Sequence, residues 1–419
     1  MFVSYFKVLK KRNFFLLWFG QVISQFGDRL TQMALIGLVY ELMPHSSMSL
    51  AKVMSLPVLA VLLISPVAGV YVDRWEKRKT MYVSDFLRGI CIALIFILIF
   101  KFKTVIFVYF LIFLSFCVGR FFIPAKMAII PALVDQKDLL LANSLVSITA
   151  MIAAILGFGL GGIIVEKLGV KVAFLIDSVT FFLSSLAVLS MRVQEKGLFS
   201  PKDFLDLSKQ AIEEVKRSFI FEMKEGLKYL LKSKETRYAA QVFFLLFSCL
   251  GSLYVVFIVF IQNTLSSVTL DLGYLAVGLG TGLFVGSLIY GKIGKRYPFK
   301  KSINVSLFIN SIYLISFVTV LKFHPSKLFA FFSCFLLGGF SSPVVVGINA
   351  LIHSESQNMF WGRIFSSLEV VIHFAFIAFM FLSSYLAEFF SPFTIIMSVG
   401  IIIFFFSSFG LFSEPKGND

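Results

Sequence analysis

Few of the groups that carry chemistry in soluble enzymes occur in this chain. Charged residues make up only 15% of it, and there are four histidines and four cysteines in 419 residues. No HExxH pair, nucleophile elbow or phosphate-binding loop is present, which argues against an enzyme and against a resident metal or cofactor. Cys91, Cys117, Cys249 and Cys334 all lie in apolar runs, without a CxxC or a Cys/His pairing. They read as small buried hydrophobes rather than disulfides or ligands. Polar stretches are just as scarce: 192–237 is the single long one, so the soluble output domain of a sensor is missing. A cleavable leader is not expected either. The apolar segment after Lys7, Lys10, Lys11 and Arg12 is too long and lacks a small-residue cleavage site, so it stays as a first membrane span.

What remains is apolar. The composition is 58% hydrophobic with 53 phenylalanines, and the mean hydropathy is +0.91. Such values belong to membrane helices, and about twelve spans of the required length can be counted. Those from 14–42 to 170–191 precede the polar stretch, and those from 238–262 to 393–412 follow it. The expected organisation is an N-terminal six-helix bundle (1–191), a linker (192–237) and a C-terminal six-helix bundle (238–419). In the linker, Leu227, Leu230 and Leu231 share a face opposite Lys224, Lys228 and Lys232, the pattern of an amphipathic helix on a membrane surface.

The net charge of +15 is not a nucleic-acid signature, because of where the cations fall. The N-terminal tail, the 73–79 turn, the linker and the 292–301 turn are basic. The 43–49 and 263–271 loops hold no Lys or Arg. The positive-inside rule then places both ends in the cytoplasm. Its partners are the lipid bilayer and whatever crosses it.

The first span carries a second, polar stripe. At 100° per residue Gln21, Gln25, Asp28 and Gln32 fall on one face, flanked by Ser24 and Thr31. Lipid cannot solvate that face, so it must look onto water or other helices. A carboxylate there is costly unless paired, hydrated or protonated, which makes Asp28 the first candidate for a proton or a cationic substrate. The alternative is a structural ion pair with Arg29 or with Arg120 of the fourth span. In the eleventh span Glu369 and His373 share a face at a four-residue spacing and suit either a proton relay or a helix staple. The two halves also echo each other: Gly119 and Pro124 have the same separation as Gly338 and Pro343, and such repeats put the substrate site between halves, near the midplane.

The turn Gly69-Val-Tyr-Val-Asp73-Arg74-Trp-Glu-Lys77-Arg78-Lys79 resembles motif A of the major facilitator superfamily, with Glu76 where the family prefers Gly. Gly291-Lys-Ile-Gly294-Lys295-Arg296 is its second-half equivalent without the Asp. Further stretches are similar to the macrolide-efflux and enterobactin-exporter-like branch: Phe26-Gly27-Asp28-Arg29-Leu30, Ser84-Asp85-Phe86-Leu87-Arg88, Pro131-Ala132-Leu133-Val134, Leu141-Ala142-Asn143-Ser144-Leu145, Ala173-Phe174-Leu175-Ile176-Asp177 and Gly362-Arg363-Ile364-Phe365. Gly157-Phe158-Gly159-Leu160-Gly161-Gly162 resembles the antiporter motif C, with Phe158 replacing its Pro. Arg120 resembles the motif B arginine by position only.

The resemblance implies an all-α membrane protein of twelve helices in two six-helix bundles, the major facilitator fold. It implies proton-coupled export of an amphipathic small molecule (a drug, a macrolide or a siderophore-like compound) across the bacterial cytoplasmic membrane by a monomer. Movement of a lysophospholipid through a laterally open cavity is the alternative. The candidate substrate and proton residues are then Gln21, Gln25, Asp28, Arg29, Gln32, Arg120, Glu369 and His373. The candidate gating residues are Gly69, Asp73, Arg74, Lys77, Arg78, Asp85, Arg88, Gly362 and Arg363. In the gate, Gly69 is expected to allow close helix packing, and Asp85 to reach Arg78 or Lys79. Asp177 is expected to be structural.

Overall fold

A computed structural model of the chain describes residues 2–101, 105–193, 234–294, 297–355 and 361–412. Most of the expected linker, with its amphipathic helix, lies outside these residues. The described chain is helical throughout. A short α1 (Phe2–Leu9) leads into α2 (Arg12–Leu42), α3 (Ser47–Arg74), α4 (Lys77–Lys101), α5 (Val105–Leu133), α6 (Leu139–Leu168) and α7 (Val170–Leu189). After the linker come α8 (Lys234–Leu265), α9 (Leu270–Ile293), α10 (Phe299–Phe323), α11 (Lys327–Glu355), α12 (Trp361–Leu386) and α13 (Pro392–Phe412).

Apolar runs of this length form helices because in lipid each backbone N–H and C=O must be bonded within its own segment. Among the described residues, ten helices are long and apolar enough to cross a membrane, and α12 adds a shorter apolar stretch, Val370–Leu386. The long helix α2 is not among the ten. Gln21, Gln25, Asp28, Arg29 and Gln32 dilute its apolar character. Pro57 and Pro66 sit inside α3, Pro124 and Pro131 inside α5, and Pro343 inside α11. Prolines are tolerated there because neighbouring helices can bond the freed carbonyls.

The chain clusters into two compact units. The first comprises Met1–Leu38 with Val53–Phe219, and the second Val39–Lys52 with Ile220–Asp419. The turns of α2 and α3 that flank their connecting loop are thus counted with the second unit. Within the first unit, α4 packs on both α5 and α7; within the second, α10 packs on both α11 and α13. These are the third, fourth and sixth spans of each half, so the weak internal repeat of the sequence reappears as a repeat of packing.

Each unit has its own apolar core. In the first, Phe14, Leu17, Val72, Met81, Ala125, Ile129 and Val188 form a cluster joining α2 to α5 and α7. In the second, Val242, Cys249, Ile303, Leu307, Val344 and Val399 do the same. All four cysteines are free and buried. The loops that lack Lys and Arg share a device as well. His45 and Ser266 take positive φ values of 63° and 59°. Ser46 and Ser267 then accept the backbone N–H of Ser49 and Asp271 at the start of the next helix.

Candidate functional site

The polar stripe of α2 divides into two faces. Gln21, Ser24 and Thr31 are buried, whereas Gln25, Asp28 and Gln32 are half-buried. Among the described residues, neither the amide oxygen nor the amide nitrogen of Gln21 has a hydrogen-bond partner. Arg29 turns away from Asp28: it donates to Gln32 Oε1 at 3.1 Å and lies 5.2 Å over the ring of Phe158 on α6. Nearby, Trp18 Nε1 donates to Thr149 Oγ1 of α6 at 2.9 Å. A Cβ at Gly157 would stand 2.8 Å from Arg29 Cβ, so the glycine-rich run of the fifth span serves to bring α6 close to α2.

Asp28 is ion-paired, and its partner is Arg88 of α4. The sequence offered Arg29 or Arg120 as the alternative structural partner; the ion pair is made with Arg88 instead. Gly119, next to Arg120 in the chain, packs against the cluster, with its Cβ position 3.1 Å from Arg88 Nε. Any larger residue there would push the guanidinium from its place.

Arg88 is shared. Its Nη1 lies 3.8 Å from Asp85 Oδ1, one turn earlier on α4, and its Cζ stands 4.0 Å over the ring of Phe181 on α7. Asp85, 1% exposed, accepts from Ser184 Oγ of α7 at 2.5 Å. The expected reach of Asp85 to Arg78 or Lys79 is therefore replaced by Arg88 and Ser184. A ladder of hydroxyls holds α7 against α4 around this group: Ser178 donates to Gly89 O at 2.9 Å and Ser185 to Tyr82 O at 2.8 Å. Interhelical hydrogen bonds of this kind position charged side chains where no hydrophobic force between helices is available.

Two turns before Ser184 on α7, Asp177 is fully buried. Thr31 of α2 donates to its Oδ2, and Thr180 of α7 lies 3.1 Å from its Oδ1. A Cβ at Gly27 would collide with Asp177 Oδ1 and Thr180 Oγ1, so the glycine before Asp28 is what admits this carboxyl against α2. Three carboxylates (Asp28, Asp85 and Asp177) thus interact with one guanidinium, Arg88. Asp28 is the most accessible of them, with 28% of its side chain exposed against 9% for Arg88.

The basic turn between α3 and α4 is a separate feature. Asp73 and Arg74 are exposed. Lys77 Nζ donates to Asp73 O at 2.8 Å, and Arg78 donates to the last carbonyls of α7, Leu189 O at 2.6 Å and Val188 O at 3.4 Å. Arg78 with Arg12 and Arg192 also lines a cavity of about 690 Å³ at that end of the first unit. Gly69 departs from expectation. Apart from its own helical turn, no heavy atom among the described residues lies within 4 Å of its Cβ position, and the same holds for Gly291 of the second half. In α12, His373 is half-buried. The side chains of Glu369, Gly362 and Arg363 fall outside the described residues.

The sequence did not point to Thr31, Asp177, Thr180 and Ser184 as one assembly with Asp28 and Arg88. The signal for α7 was present in its run Asp177-Ser-Val-Thr180-Phe-Phe-Leu-Ser184-Ser185, polar on one face of an otherwise apolar helix.

Two helical units of repeated packing, with a buried charge cluster in the first, define a membrane transporter. The Major Facilitator Superfamily profile matches residues 17–359, and the chain belongs to that family. Macrolide efflux protein A of Streptococcus pyogenes is 23% identical over 85% of this chain and 84% of its own. The putative bacilysin exporter BacE of Bacillus subtilis (strain 168) is 26% identical over 87% and 86%. The MFS-type transporter YkuC of the same strain is 25% identical over 78% and 76%. Among solved structures, the peptide transporter POT bound to alafosfalin superposes with a TM-score of 0.69 at 14% identity, covering 95% of this chain and 93% of its own. The nucleoside transporter NupG gives 0.66 at 13%, covering 96% and 98%. At these identities the likeness is one of fold.

Proposed function

We propose that this chain exports an amphipathic small molecule across the bacterial cytoplasmic membrane in exchange for protons, with Asp28 as the group that meets both. The observation that carries this reading is the imbalance of the cluster: three carboxylates share one arginine inside a membrane-spanning unit. Full ionisation would leave two uncompensated anions in a medium that solvates them poorly, so a proton or a cationic group must complete the charge. Asp28 is the accessible member, and a proton or the cationic end of a cargo can reach it first. The efflux and exporter names of two relatives support the outward direction. Both termini lie in the cytoplasm on this reading, as the distribution of Lys and Arg requires.

The test is uptake of a macrolide into inside-out vesicles with an acidic lumen, wild type beside Asp28→Asn. Uptake in the wild type should collapse when a protonophore dissipates the gradient, and Asp28→Asn should lose it while remaining folded. Undiminished gradient-driven uptake by Asp28→Asn removes Asp28 from the mechanism. Lysophospholipid transfer without any need for the gradient would favour a lipid cargo instead.

A further inference from the structure

Arg88 is ion-paired with Asp28 and lies 3.8 Å from Asp85, which also accepts from Ser184; Asp177 has no ion pair of its own among the described residues. It is fully buried. Its surroundings are two hydroxyls. Thr31 Oγ1 donates to Oδ2. Thr180 Oγ1 is different, because it contacts two oxygens of Asp177: the backbone carbonyl at 2.7 Å and Oδ1 at 3.1 Å. A threonine hydroxyl has a single proton. Given to the nearer carbonyl, that proton leaves two bare oxygens facing each other at Oδ1, unless the carboxyl itself supplies a proton. A neutral acid donating from Oδ1 to Thr180 Oγ1 and accepting from Thr31 at Oδ2 satisfies every group.

We propose that Asp177, on the sixth span, is a proton-binding site, held as the neutral acid while Asp28 is closed on Arg88. The charged groups around it give this proton a consequence. On α2, Asp28 faces the site, and Arg29 is turned to Gln32 and Phe158. On α4, Arg88 faces it, and Asp85 lies 3.8 Å from Arg88 Nη1. On α6, Glu166 and Lys167 sit in the last turn, beside Gly169 at the far end of α7. Among the described residues Arg88 is the cation that interacts with Asp177, and it is engaged by Asp28 and Asp85. When Asp177 gives up its proton, the resulting carboxylate competes for Arg88. Release of the proton and opening of the Asp28–Arg88 pair are therefore linked: the cluster becomes one charge more negative as the proton leaves Asp177, and Asp28, freed of its arginine, is left to take up a proton or a cationic cargo. The linkage to transport rests on the exporter reading above; the proton site itself does not.

Infrared spectra of the full chain in lipid nanodiscs, in H2O and in D2O, test the site without transport. Wild type should show a protonated-carboxyl stretch that shifts in D2O. That band should be lost in Asp177→Asn and retained in Asp28→Asn. Thr180→Val removes the acceptor of the acid proton and should move the band to higher frequency, which reads the site even if Asp177→Asn folds poorly. A band unchanged in both Asp177→Asn and Thr180→Val overturns the proposal. In proteoliposomes, Asp177→Asn should make cargo flux insensitive to an imposed pH gradient. Wild-type sensitivity in that variant overturns the linkage. A wild type with the Asp177 band and no gradient-driven flux for any exporter cargo supports the site and refutes the exporter reading.

Discussion

At the scale of single residues, Arg88 carries the heaviest demand, because it is the cation of three acids. Removing one member of a buried charge pair leaves its partners uncompensated, at a cost of about 3–5 kcal/mol. Arg88→Ala should therefore lower the denaturation midpoint of the detergent-solubilised protein strongly, whereas Asp28→Asn, which deletes a negative charge from an acid-rich cluster, should lower it far less. Equal losses in the two variants would show that the cluster is not short of positive charge. Gly27 is sensitive for a steric reason. A side chain there collides with the carboxyl of Asp177 and the hydroxyl of Thr180, and overpacking of a filled interior typically costs about 1–3 kcal/mol. Gly27→Val should destabilise by that order in the same melting assay, while Gly69→Val, which meets open space, should not. Asp28 itself was legible in the sequence as an expensive residue in an apolar run. Its partner was not, because Asp28 and Arg88 are sixty residues apart and Arg29 or Arg120 satisfied the same chemistry on paper.

At the scale of helices, α2, α4 and α7 are joined by polar contacts rather than by apolar burial alone. Thr31, Ser178, Ser184 and Ser185 each bridge two helices. The periodicity of α7 showed that its serines and threonines share a face, and it could not show which helix receives them. A tie of another kind lies outside the spans. Lys11, between α1 and α2, pairs with Asp135 after α5 at 2.7 Å, and its ammonium holds the Asp135 carboxyl below the usual carboxylate range. The sign follows directly. A depressed acid stabilises the fold at every pH above its unfolded value of about 3.9, and that contribution disappears as pH falls through the lower folded value. Acidification below about pH 4 should release this tie. High salt at neutral pH should weaken it too, since the pair is exposed. Fluorescence from a probe on Lys7 should report both changes in the wild type and neither in Asp135→Asn.

At the scale of the whole molecule, the repeat is what sequence and structure have most clearly in common. Gly119 with Pro124 and Gly338 with Pro343 fall within α5 and α11, which occupy corresponding places in the packing of their units. The number of spans and the all-helical class were readable from composition, since only helices keep such apolar chains bonded in lipid. Two parts were not readable: the assembly of the charge cluster, which depends on side-chain contacts between distant helices, and the openness around Gly69 and Gly291, which a motif match does not describe. The cluster lies wholly within the first unit, so that unit is expected to carry the proton.

The most direct measurement is of proton movement driven by cargo alone. Proteoliposomes holding the wild-type chain are loaded with a macrolide, diluted into drug-free buffer without a pH gradient, and followed with a trapped pH indicator. Exchange through the Asp28–Arg88 cluster requires the lumen to acidify as drug leaves, with no acidification in Asp28→Asn. Drug release by the wild type at constant luminal pH would contradict proton exchange and leave the buried acids without a part in transport.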